Sequence, residues 1–291
     1  MATVGQWVQG ARPRTLPAAI APVLVGTGAA AALDDFSAVR AGLALVVGLA
    51  IQVGVNYAND YSDGIRGTDA KRAGPLRLVG SGVVAKPATV KYAAFAAFGV
   101  AALAGLGVVA LAGLWWLIAV GAASIAAAWF YTGGRRPYGY SGLGELSVFV
   151  FFGLVAVLGT TLVQAERVSV AAVLGAVAVG LYACAILVAN NVRDVPTDAA
   201  HGKRTLAVLM GDRASRWFWL VLVVLAHALA LTLVCRFPWV ALSLLAVPLL
   251  VRAALPLLRQ KHGRELIPTL RDTALAELVF AIGLAVGLAL G

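Results

Sequence analysis

Nine apolar runs, each close to the length of a membrane span, divide this chain and leave it few possible folds. They cover residues 15–33, 38–60, 89–110, 112–131, 143–164, 169–191, 215–234, 237–257 and 272–290. About 20 helical residues cross a hydrocarbon core of about 30 Å. Lipid offers no partner to backbone polar groups, so a spanning segment must be a helix or a strand of a closed barrel. Alternation at period two, the signature of a membrane barrel, is absent. With 61% hydrophobic and 12% charged residues, the chain also lies outside the range of soluble domains. The expectation is an all-α polytopic membrane protein, with nine transmembrane helices in a bundle around a central cytoplasm-facing cavity.

The basic residues set an orientation. If nine spans are threaded in order, 23 Lys and Arg segregate so that all but Arg40, Arg167 and Arg236 fall on the side holding the N-terminus. Such asymmetry marks the cytoplasmic side. The formal net charge of +10 is distributed over these loops rather than gathered in one patch. Topology and anionic lipid headgroups account for it, and nucleic-acid binding is not expected. The first residues, Met1 to Trp7, lack a basic region followed by an apolar stretch, so no removable signal peptide is expected. Cys184 and Cys235 stand apart in apolar segments and read as small buried hydrophobes.

Two polar islands interrupt the apolar pattern: Asn56-Tyr-Ala-Asn-Asp60-Tyr-Ser-Asp63 and Asn190-Asn-Val-Arg-Asp194-Val-Pro-Thr-Asp198. The spacings i, i+4, i+7 and i, i+4, i+8 put each triplet on one helical face. Both islands lie at the cytoplasmic ends of even-numbered spans, where carboxylates are costly and usually functional. A basic loop follows each one. Loop 64–88 contains Asp69, Lys71, Arg72 and Arg77, and loop 199–214 contains His201, Lys203 and Arg204. Oxygen donors of this kind suit Mg²⁺, which shares its coordination with water and phosphate. Lys and Arg would neutralise the remaining phosphate oxygens. The recurrence of island and loop suggests two related halves, about 12–140 and 141–257, with a last helix at 272–290, all within one transmembrane domain.

At this point the islands resemble the two aspartate-rich motifs of the UbiA-type intramembrane prenyltransferases. Further stretches are similar to the 1,4-dihydroxy-2-naphthoate polyprenyltransferase branch of menaquinone biosynthesis. They are Ala11-Arg-Pro-Arg14-Thr-Leu-Pro17, Gly74-Pro-Leu-Arg77, Tyr131-Thr-Gly-Gly134, Gly142-Leu-Gly-Glu145 and Gly202-Lys203-Arg204-Thr205. The resemblance implies Mg²⁺-dependent transfer of a polyprenyl group from its diphosphate to the naphthoate ring with loss of CO₂, giving demethylmenaquinone. It also implies that Asn56, Asp60, Asp63, Asn190, Asp194 and Asp198 hold two Mg²⁺ ions, with the four aspartates and Tyr131 as the catalytic set. Arg14, Lys71, Arg72, Lys203 and Arg204 become the diphosphate contacts. The first motif departs from the superfamily's common DxxxD form, since position 64 is Gly. Either Asp63 or Asp69 can therefore complete the first metal shell.

Several single residues keep two readings. Tyr131 either steers the reacting partners or is an interfacial belt tyrosine. Glu145 either orients the acceptor or pairs with Arg135 or Arg136. The tryptophans 115, 116, 217 and 219 read as packing and interface anchors, and His227 as a hydrogen-bonded core histidine. The alternatives to the naphthoate reaction are a UbiA-type enzyme for 4-hydroxybenzoate, homogentisate or a chlorin, a different membrane transferase, or a transporter. Transport would favour charges at mid-membrane and broken helices. If the naphthoate reading holds, the protein resides in a prokaryotic plasma membrane with its site facing the cytoplasm.

Overall fold

The computed structural model describes residues 2–67 and 76–291. Asp69, Lys71 and Arg72 therefore lie outside the described residues. The described chain is helical, with no strand. In order the helices are α1 (Val4–Gly10), α2 (Pro17–Ala31), α3 (Ala38–Arg66), α4 (Pro87–Ala112), α5 (Leu117–Phe130), α6 (Gly144–Ala165), α7 (Val170–Ala200), α8 (Leu206–Met210), α9 (Asp212–Leu231), α10 (Pro238–Leu258) and α11 (Gly263–Ala289).

Seven of these helices (α3, α4, α6, α7, α9, α10 and α11) are long and apolar enough to cross a membrane. The shorter apolar helices α2 and α5 occupy the positions of the first and fourth apolar runs. Local sequence explains the boundaries. Ser37 and Ser169 cap α3 and α7 by accepting backbone N–H bonds from Arg40 and Ala172. Pro87 occupies the first turn of α4, where its missing N–H costs nothing. Gly67, at φ 73°, ends α3 in the left-handed conformation.

Both motif helices outrun the apolar segments that announced them. α3 continues through Asp60 and Asp63 to Arg66, and α7 continues through Asp194 and Asp198 to Ala200. Each motif is thus presented on a continuous helix.

The largest apolar core joins α2, α6, α7, α9, α10 and α11, with Val25, Val157, Tyr182, Trp219, Phe280 and Leu284 at its centre. A smaller cluster joins α3, α4 and α5 through Ala58, Ala94, Phe98 and Ala128. α3 packs chiefly on α4, α7 on α9, and α2 on α11, while α3 and α7 share no extensive packing with each other. Large apolar side chains such as Leu103, Val170 and Leu245 face outward, as expected of a surface solvated by lipid. Trp115, Trp116 and Trp217 are exposed at helix ends, whereas Trp219 is buried in the core. His227 is buried and its Nδ1 lies 3.0 Å from the Val223 carbonyl oxygen. Its ring meets Tyr182 at a tilt and Phe280 edge-on. Glu277, within electrostatic reach of Tyr182, is fully buried, and among the described residues neither of its carboxylate oxygens has a hydrogen-bond partner.

Candidate functional site

The two motifs meet at one end of the bundle, and all four of their aspartates are buried: Asp60 is 1% exposed, Asp63 3%, Asp194 2% and Asp198 5%. Carboxylates buried this deeply need donors around them, and the structure shows which ones.

Asp60 reaches out of α3 to the chain that follows residue 75. Leu78 N–H donates to its Oδ2 at 2.7 Å, and Val79 N–H to its Oδ1 at 3.0 Å. Leu78 is itself fully buried. One aspartate thereby anchors the segment that closes over the end of α3. Arg12, held in a left-handed conformation at φ 54°, brings a guanidinium within electrostatic reach of Asp60. Asn56, one turn below, spends its amide N–H₂ on the Ala11 carbonyl at 2.8 Å and the Thr15 hydroxyl at 3.1 Å. The N-terminal segment is thus pinned to the motif helix.

Asp63 accepts a 2.5 Å hydrogen bond from the Tyr140 hydroxyl. Tyr140 sits in the connection between α5 and α6, and its backbone carbonyl accepts the Arg204 N–H at 3.0 Å. Its ring lies 5.1 Å from the Lys203 ammonium and 5.5 Å from the Arg66 guanidinium, both within cation–π range. Lys203 also stands 3.8 Å from Asp198. A continuous chain of contacts therefore runs from Asp63 through Tyr140 and Lys203 to Asp198.

In the second motif, Arg193 forks onto Asp194, with Nε to Oδ1 at 2.8 Å and Nη2 to Oδ2 at 2.7 Å. The same Nη2 donates to the Asn190 carboxamide oxygen at 2.8 Å. Glu145 pairs with neither Arg135 nor Arg136. Instead its Oε1 accepts from the Asn191 side chain at 2.9 Å. It belongs to the second motif because α6 starts beside α7, and the two arginines are exposed. Tyr131 is wedged at the same junction, and a Cβ at Gly144 would stand 3.1 Å from its hydroxyl oxygen. Arg14 and Arg204 are exposed, and Arg14 sits in the turn just before α2.

Tyr140, Arg12, Arg193 and Asn191 were not singled out from the sequence. Tyr140 carried a faint signal, as an aromatic in a Pro-Tyr-Gly-Tyr run on the motif side of the membrane. Arg193 carried none, because adjacent helical residues point to different faces.

Among the described residues, no three His, Cys, Asp or Glu side chains converge as a ready metal cage. Mg²⁺ takes one or two carboxylates per ion and completes its shell with water and substrate phosphate. A carboxylate offers about four lone-pair sites, so the two backbone donors do not fill the acceptor capacity of Asp60.

Comparison with known proteins gives a consistent picture. The profile of the UbiA prenyltransferase family matches residues 19–271. The chain is 56% identical over its whole length to the 1,4-dihydroxy-2-naphthoate octaprenyltransferase of Mycobacterium tuberculosis, covering 99% of that protein. It is 38% identical to the enzyme of the same name from Escherichia coli, over 96% of this chain and 94% of that one. Among solved structures, a UbiA homologue from Archaeoglobus fulgidus bound to DMAPP and Mg²⁺ superimposes with a TM-score of 0.67. It is 13% identical, and the match covers 98% of this chain and 99% of that one. A homologue from Aeropyrum pernix gives 0.69 at 16% identity, covering 94% and 97%. At such identities the likeness is one of fold.

Proposed function

The chain belongs to the UbiA prenyltransferase family and is a membrane-embedded aromatic prenyltransferase, and from that premise we propose that its reaction is Mg²⁺-dependent prenylation of 1,4-dihydroxy-2-naphthoate with loss of CO₂. The bond between C1 of the prenyl group and its diphosphate oxygen breaks, and the electron pair leaves with the diphosphate. C1 joins the ring carbon that carries the carboxylate. The pair of the carbon–carboxylate bond then restores the aromatic ring as CO₂ departs, and the product is the quinol form of demethylmenaquinone.

The observation that carries this reading is the set of four buried aspartates, two per motif, gathered with Lys203 at one end of a mainly apolar bundle. Asn56, Asp60 and Asp63 would hold one Mg²⁺, and Asn190, Asp194 and Asp198 a second. The donor set fits, being oxygen throughout. Bound Mg²⁺ supplies neutralisation of the charge that builds on the leaving diphosphate.

The protein's own groups do the rest. Lys203 and Arg204 grip the diphosphate, with Arg14, Lys71 and Arg72 contributing from the first half. The helices below hold the prenyl chain and keep water from the electron-poor carbon. Tyr131 and Glu145, held at the start of α6, orient the acceptor. On this reading the shorter helices α2 and α5 join the seven long ones as nine spans of one domain, each half supplies a motif, and the excess of basic residues in the motif-side loops supports a site that faces the cytoplasm.

Acceptor choice is tested with purified protein, Mg²⁺, a polyprenyl diphosphate and a panel of dihydroxynaphthoate, 4-hydroxybenzoate and homogentisate. A prenylated, decarboxylated product from dihydroxynaphthoate alone is expected. Preference for another acid would overturn the assignment.

A further inference from the structure

The two motif helices need something to hold them in register, because α3 and α7 share no extensive packing. The link between α5 and α6 supplies it. That link is fixed at several points before it reaches the site. Arg66, the last residue of α3, donates to the carbonyls of Thr132 and Gly134. Thr132 donates to Asn59 at 2.7 Å, and Tyr138 donates its hydroxyl to the Ala127 carbonyl at 2.8 Å. Gly139 N–H closes back on the Tyr131 carbonyl at 3.0 Å. On this braced turn stands Tyr140, whose hydroxyl meets Asp63, whose ring meets Lys203 and whose carbonyl meets Arg204.

We propose that Tyr140 is a positioning residue that joins the two aspartate motifs into one ligand site, its hydroxyl fixing Asp63 for metal and its ring fixing Lys203 for diphosphate. The inference rests on Asp63 being a metal ligand and Lys203 a diphosphate contact. A 2.5 Å O–H to carboxylate bond is charge-assisted and selects one rotamer of Asp63. Partners of this kind, one bond removed from a metal, typically govern its affinity. The ring acts separately. Lys203 stands 3.8 Å from Asp198 and 5.1 Å from the Tyr140 ring, so carboxylate and aromatic face flank the ammonium.

The two roles separate by substitution. Tyr140→Phe keeps ring and backbone and removes only the hydroxyl, whereas Tyr140→Leu removes both. Mg²⁺ binding to the purified full-length protein is measured by calorimetry with inorganic diphosphate present, alongside steady-state kinetics. Tyr140→Phe is expected to weaken Mg²⁺ binding roughly 10-fold or more, with the KM for prenyl diphosphate at saturating Mg²⁺ unchanged. Tyr140→Leu should show the same metal defect and also raise that KM roughly 2- to 5-fold, the scale of one exposed cation–π contact. The KM for the aromatic acid should move in neither.

Asp63→Asn separates the two ways of failing. If Asp63→Asn loses Mg²⁺ affinity and Tyr140→Phe binds as wild type, the positioning role is overturned. If Asp63→Asn itself binds Mg²⁺ normally, the metal reading fails, and the role of the hydroxyl fails with it. If Tyr140→Leu leaves the prenyl diphosphate KM unmoved, the role of the ring is overturned. Thermal melts without ligand confirm that each variant is folded.

Discussion

Val79 lies directly over Gly64, so close that a Cβ at Gly64 would overlap its side chain, while the Val79 N–H donates to Asp60 one turn earlier on α3. The two facts are one arrangement. A bare backbone at position 64 lets the following segment close on the helix, and that closure satisfies the buried carboxylate. Any side chain at position 64 would meet Val79, so this turn of α3 leaves room for no more than glycine.

Gly64→Ala is therefore expected to push Val79 and Leu78 off α3. Overpacking of this kind typically costs about 1–3 kcal/mol, so the variant should melt lower and use prenyl diphosphate less well. A melting curve and KM equal to wild type would show that the contact at Gly64 does not hold the segment in place.

Asp60→Ala and Asp194→Ala should each abolish Mg²⁺-dependent turnover in a protein that still folds. They should differ in stability. Removing Asp60 leaves the buried Leu78 N–H and the part-buried Val79 N–H without their acceptor, a loss of about 1–3 kcal/mol for the buried group. Removing Asp194 strands the buried Arg193 guanidinium, the more costly outcome for a charge. Thermal melts of the two variants without ligand, run beside turnover assays, check both points. Near-normal turnover in both would remove the metal assignment.

Lys203→Ala should raise the KM for prenyl diphosphate and leave that for the aromatic acid nearly unchanged. Equal effects on both substrates would argue that Lys203 supports the fold of the loop, and that the diphosphate is held elsewhere.

Much of this architecture was legible in advance because it is written in one dimension. The apolar runs coincide with helices to within a few residues over most of the chain, and the spacing of the two islands was enough to place each triplet on one face. What stayed hidden depends on groups that sequence spacing does not register. The partners of Asp60 are backbone N–H groups at Leu78 and Val79, which every sequence offers everywhere. Pairing with Arg135 or Arg136, one of the two readings of Glu145, rests on nearness in sequence, whereas the start of α6 faces α7 and delivers it to Asn191. Tyr140 acts through a turn whose direction follows from its bracing contacts and from no periodicity.

Glu277 offers a test of packing away from the site. Both of its carboxylate oxygens are buried without a hydrogen-bond partner among the described residues. A buried polar group with no partner opposes folding, and Glu277→Met fills similar space without a polar hydrogen-bonding group. The melting temperature should rise by roughly 2 °C or more. A lower melting temperature would mean that the carboxyl contributes an interaction the thioether does not replace.

The central reaction is tested most directly with 1,4-dihydroxy-2-naphthoate labelled with ¹³C in its carboxyl group, purified protein, Mg²⁺ and a polyprenyl diphosphate. Counting labelled CO₂ against prenylated product should give one released per product formed, and neither should form when Mg²⁺ is chelated. A prenylated product that retains the label, or product formation that persists without Mg²⁺, would contradict it.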